Sequence, residues 1–130
     1  MIPKFRAWDK RENTMRDVAV LHFTKGGKVN SIEYWKTPSE LKSYHVRNLI
    51  LMQSTGFKDK NGVEIFEGDI VKIIGDVLDD DMSVIRFTEG GFYLDYKNLD
   101  TEFELLYSID LPIEIIGNIY ENPELLEVEG

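Results

Sequence analysis

Phe92-Tyr93-Leu94-Asp95-Tyr96-Lys97 and, a few residues on, Glu102-Phe103-Glu104-Leu105-Leu106-Tyr107-Ser108-Ile109 place large apolar side chains at every second position. Side chains on an extended chain alternate between two faces, so a period of two marks strands with one wet and one dry face. Such strands pair antiparallel, because sheets with a solvated face are built that way. Working outward, similar runs occupy 4–8, 18–23, 29–35, 49–53, 63–66, 69–74, 82–87 and 113–120. The chain is therefore expected to be mainly β and antiparallel, with a small bent, barrel-like sheet over residues 53–130 and an N-terminal β segment over 1–52, the whole forming one domain.

The connectors agree with this reading. Lys25-Gly26-Gly27-Lys28, Asp59-Lys60-Asn61-Gly62 and Glu89-Gly90-Gly91 supply the positive φ angles of tight hairpins, and Asn61-Gly62 is the strongest of these signals. Gly68 and Gly75 flank the most apolar strand, where glycine commonly marks a bulge or a barrel corner. One helix is expected over 38–46: Thr37 is placed to cap, Pro38 suits the first helical position, and Glu40 completes a capping box. Asn122-Pro123-Glu124 starts a second helix of a turn or two. Lys72-Ile73-Ile74-Gly75-Asp76 echoes Glu114-Ile115-Ile116-Gly117-Asn118, a similarity too short to define a repeat.

At 130 residues and 15.1 kDa, the chain is long enough to bury a core without covalent staples. Cysteine is absent, which excludes disulfides, thiolate catalysis and Cys-ligated zinc and fits a reducing compartment. No apolar run reaches signal-peptide or membrane-span length, so a cytoplasmic protein with no membrane partner is expected.

Charge is divided unevenly. Residues 1–60 hold 12 Lys/Arg and 6 Asp/Glu, whereas residues 61–130 hold 3 and 18. The net charge of −9 repels phosphate backbones and anionic membranes unless the basic part is displayed as a patch. Opposite poles in one short chain point to association of the poles, within a molecule or between copies.

The stretch Leu51-Met52-Gln53-Ser54-Thr55-Gly56-Phe57-Lys58-Asp59-Lys60-Asn61-Gly62-Val63-Glu64-Ile65-Phe66-Glu67-Gly68-Asp69-Ile70-Val71-Lys72 resembles the signature of the YopX-like family of small phage and prophage proteins. The opening Ile2-Pro3-Lys4-Phe5-Arg6-Ala7-Trp8-Asp9, with Met15, is similar to the family's start. Ile116-Gly117-Asn118-Ile119-Tyr120-Glu121-Asn122-Pro123-Glu124-Leu125-Leu126 is similar to its end. The resemblance implies a mostly β structure, a mobile-element origin in a bacterial cytoplasm and self-association. It carries over no catalytic residue.

Each chemistry-bearing feature has a structural reading beside it. The glycine-rich stretch 56–62 offers backbone N–H groups to an anion, but its spacing is not that of a phosphate-binding loop and a plain hairpin is favoured. Asp79-Asp80-Asp81 with Asp76 suits a hard cation, yet lacks the spacing of a calcium loop and reads as a solvated acidic contact loop. His22 and His45 are the only imidazoles, which excludes a multi-His metal site within one chain. Lys4, Arg6, Arg11, Arg16, Lys25, Lys28 and Lys36, interleaved with aromatics, form the candidate surface for a nucleic acid or protein partner.

The sequence thus favours a non-catalytic interaction or self-assembly module that needs no cofactor, forms homo-oligomers and accepts a phage or host protein as partner. Salt should weaken attraction between exposed charged faces. A nucleic-acid accessory protein using the basic part is the alternative, as is an acidic DNA mimic directed at a host factor. A hydrolase or transferase ranks last.

Overall fold

A tight turn at 10–13, in which Asn13 takes a left-handed φ of 50°, folds the strand β1 (Phe5–Asp9) back onto β2 (Thr14–Phe23). The computed structural model describes residues 4–75, 82–88, 91–96, 103–106 and 112–126 and comprises two units, Met1–Gln53 and Ser54–Gly130. In the first unit, β2 pairs with β3 (Val29–Thr37), β3 with β4 (Glu40–His45), and β1 with the opening of β5 (Leu49–Lys58). All these pairings are antiparallel, and β4 ends the sheet.

Register decides which side chains are buried. Ala7 faces Leu51, Asp9 faces Leu49, Val18 faces Tyr34 and Leu21 faces Ile32, so one face gathers these residues. Buried Ala7, Ile32, Tyr34 and Leu49 form its core, with Val18, Leu21, Val29, Tyr44, Val46 and Leu51 packed against them.

In the second unit, the closing part of β5 pairs with β6 (Glu64–Phe66) through Ser54 opposite Phe66 and Lys58 opposite Glu64. A five-stranded sheet follows in the order β10-β9-β8-β7-β11, from β7 (Asp69–Ile73), β8 (Met82–Thr88), β9 (Gly91–Tyr96), β10 (Phe103–Leu105) and β11 (Ile113–Asn118). Ile65, Val71, Ile73, Ile85, Leu94, Leu106 and Ile113 fill its core. The two segments that echo one another meet at their first residues, Lys72 opposite Glu114.

The mainly β, antiparallel fold is thus observed, with two differences in detail. Among the described residues, neither sheet closes into a barrel. The outer edge of β11 is occupied by the turn after β5, where the Lys60 N–H donates to Ile113 O (2.8 Å) and the Ile115 N–H donates to the Asp59 carboxylate (3.2 Å). That edge is therefore unavailable to β10. Gly68, at φ 88°, serves a turn rather than a barrel corner, its N–H donating to Ile85 O and its carbonyl accepting from the Ile119 N–H.

The helix expected over 38–46 is instead the turn and second arm of the β3–β4 hairpin. The Thr37 hydroxyl accepts from the Ser39 N–H (3.4 Å), making a local turn where a helix cap was expected. An isolated nine-residue helix is marginal in water. Pairing with β3 instead sets Tyr44 beside Ile32 and brings its ring within 6.3 Å of Tyr34. Single-turn 3-10 helices occur at Val46–Asn48 and, as expected after Asn122, at Pro123–Leu126.

Candidate functional site

The β3–β4 hairpin leaves Trp35 and Leu41 in water on the face away from its core, and β2 adds Val20. Trp35 lies opposite Leu41, and Val20 lies opposite Glu33, two residues from Trp35 along β3. These three apolar side chains remain 46%, 41% and 37% exposed for Trp35, Leu41 and Val20. Single exposed apolar residues are ordinary, whereas neighbours on one face make a patch that marks an interaction surface. Beside Trp35, an open depression of about 420 Å³ is lined by Asp17, Lys36, Thr37 and Pro38.

The basic candidates are distributed differently. Arg16 turns toward the core face: its guanidinium donates twice to Asp9 Oδ2, at 3.4 and 3.3 Å, and lies 4.7 Å over the Tyr34 ring. Asp9 is fully buried and also accepts from the Arg11 and Glu12 N–H groups, so it holds the β1–β2 turn and Arg16 together. Arg6 is half-buried in β1, and Lys4 is exposed just before it. Arg11 and the pair Lys25 and Lys28 are exposed in turns at opposite ends of ten-residue β2, about 30 Å apart at the usual rise per residue. Lys36 lies 3.9 Å from Glu40. The structure therefore places Lys36 beside the Trp35 depression, draws Arg16 inward and separates the turn cations. Asp76, Asp79, Asp80 and Asp81 lie outside the described residues.

The turn 59–62 does not offer an anion cradle, because its donors are engaged within the fold. Asp59 Oδ1 accepts from the Asn61 N–H (2.8 Å) and Val63 N–H (2.9 Å), while Asp59 O accepts from the Gly62 N–H (3.0 Å). Gly62 takes the expected positive φ, 80°. Burial alone would raise the Asp59 pKa. Hydrogen bonds from the Val63, Ile115 and Asn61 N–H groups, together with the Lys60 charge, outweigh it and hold the carboxyl below its ordinary 3.8. The Lys60 ammonium in turn reaches Glu114 at 3.0 Å.

Both imidazoles have partners. His22 Nε2 meets Glu33 Oε2 at 2.9 Å across the β2–β3 pair, and His45 Nδ1 accepts from the Arg47 N–H at 3.1 Å.

The YopX protein family model matches residues 4–127. The chain belongs to the YopX family. An SPbeta prophage-derived uncharacterized protein YopX of Bacillus subtilis is 32% identical over 85 residues, covering 62% of this chain and 61% of that protein's length. The crystal structure of protein EF1440 from Enterococcus faecalis is 34% identical, covers 98% of this chain and 99% of that one, and superposes with a TM-score of 0.70. B. subtilis yopX, at 23% identity and 98% coverage of both chains, shares the fold with a TM-score of 0.65.

The central and closing stretches that carry the YopX resemblance meet in the second unit. Asp59 and Gly68, from the central stretch, bond Ile115 and Ile119 beside and within the closing one. Asn118 then caps its own turn, its Oδ1 accepting from the Tyr120 (3.0 Å) and Glu121 (2.9 Å) N–H groups. Sequence reasoning missed two features: the exposed Trp35–Leu41 pair, hidden by the expected helix, and the pairing of half-buried Arg16 with the buried Asp9 carboxylate. An Asp two residues before Asn-Gly did signal the Asp59 turn, since Asp side chains bond the backbone two residues on.

Proposed function

We propose that this YopX-family protein is a non-catalytic assembly module that associates with copies of itself through the outer face of the β3–β4 hairpin. The observation that carries this reading is the Trp35–Leu41 cross-strand pair, an aromatic and an aliphatic side chain left in water near the end of a sheet. Exposed aromatics are enriched at protein interfaces, where they bring large contact area at low entropic cost.

The alternative of nucleic-acid binding draws less support from the geometry. Arg16 is held by Asp9, Lys36 lies near Glu40, and Arg11 is a strand's length from Lys25. Sedimentation over a concentration series tests the assembly reading. Reversible association that weakens in Trp35→Ser is expected; a monomer at every concentration and ionic strength overturns it.

A further inference from the structure

We infer that the second copy binds by strand addition, with β4 of one molecule pairing antiparallel to β4 of the other about a two-fold axis through Leu41. This rests on the assembly reading above and specifies its partner and register. β4 is the terminal strand of its sheet and pairs with β3 on one side. Five of its six residues are exposed, Tyr44 being half-buried. A terminal strand presents a row of backbone donors and acceptors, the template on which another strand adds.

The sequence of β4, Glu40-Leu41-Lys42-Ser43-Tyr44-His45, selects the register. A two-fold axis joining antiparallel strands stands perpendicular to the sheet, so opposed residues share a face and the axis passes between two copies of the same residue. Centred on Glu40 or Lys42, the pairing sets like charges directly opposite one another, which is destabilising. Centred on Ser43, it opposes Lys42 to Tyr44 and Leu41 to His45; centred on Tyr44, it opposes Ser43 to His45 and leaves Glu40 and Leu41 outside the paired strands. Centred on Leu41, it places Glu40 opposite Lys42 of the second copy twice over, and Leu41 opposite Leu41. Opposite charges and apolar groups are then both matched. Because Leu41 shares its face with Trp35, the two exposed patches merge into one apolar strip across the joined sheets.

Charge reversal and a thiol probe test the register. Glu40→Lys and Lys42→Glu, each alone, set like charges opposite one another and should weaken self-association about tenfold, while the combined exchange restores it. Thermal melting of each variant separates this effect from loss of fold. The natural chain has no cysteine, so Leu41→Cys introduces a single thiol that meets its own copy. Opposed residues lie within disulfide reach, and diamide as oxidant should give a covalent dimer. Ser43→Cys, which faces Ser39 of the second copy, should not. Folded single-charge variants that associate like the natural protein, or failure of the exchange to restore association, overturn the register. If Trp35→Ser still weakens association, the broader assembly reading survives that result. A natural chain that stays monomeric overturns both.

Discussion

Asp59 and Ile115 are 56 residues apart in sequence and are joined by one hydrogen bond, 3.2 Å from the Ile115 N–H to Asp59 Oδ2. Through it a turn side chain does what a neighbouring strand's carbonyl would do for β11. The other carboxylate oxygen organises the turn itself, so one residue links local and long-range order.

Replacing that carboxylate should therefore cost stability. Asp59→Ala leaves three N–H groups without their acceptor and should destabilise by about 3 kcal/mol, since each hydrogen bond to a charged group is worth about 1.5–3 kcal/mol. Asp59→Asn should cost less, because its amide oxygen can retain the turn while its NH2 faces the Ile115 N–H. Urea unfolding measures both.

Acid should act through the same group. With the folded pKa of Asp59 below its ordinary 3.8, the folded state binds fewer protons than the unfolded chain as pH falls. The stabilisation is present above about pH 4 and is lost as pH drops through the folded pKa. Stability measured from pH 6 to pH 3 should decline less steeply in Asp59→Asn than in the natural protein.

The Asp9–Arg16–Tyr34 cluster gives a second test. Arg16→Lys keeps the charge but loses the two-pronged donation to Asp9 and the planar contact with the ring. It should lower stability by about 1–2 kcal/mol. Asp9→Ala also removes the acceptor of the Arg11 and Glu12 N–H groups and should cost more. The order of unfolding midpoints checks this.

Gly117 is constrained by space rather than by φ. A β-carbon there would lie 2.6 Å from Asn122 Oδ1, the atom that accepts from the Asn118 N–H. Gly117→Ala should destabilise by about 1–3 kcal/mol, the usual cost of overpacking. In Gly117→Ala/Asn122→Ala the two costs should fall short of adding, because the contacts at 2.6 and 2.8 Å disappear with the Asn122 amide and only the one at 3.0 Å to its β-carbon remains.

The strands were legible because alternation is local: Phe92 and Leu94 sit where a period of two puts them, and Leu94 is buried. The turn at 59–62 was legible for the same reason. Residues 38–46 were misread because Thr37, Pro38 and Glu40 carry a local helix signal, while the pairing of Leu41 with Trp35 and Tyr44 with Ile32 is set by another strand. Arg16 was read as a surface cation, because its inward turn depends on Asp9, seven residues away along the chain, and on the distant Tyr34 ring. The Asp59–Ile115 bond was invisible for want of any marker linking positions so far apart.

The two indoles sit in contrasting surroundings, Trp8 at 9% exposure within β1 and Trp35 at 46% on the hairpin. The protein thus has its own pair of optical reporters. Emission that acrylamide quenches readily belongs to Trp35 and reads out whether the hairpin is covered, while the shielded, bluer component belongs to Trp8 and follows unfolding. Concealment of a surface and loss of the fold can be watched separately in one unlabelled sample.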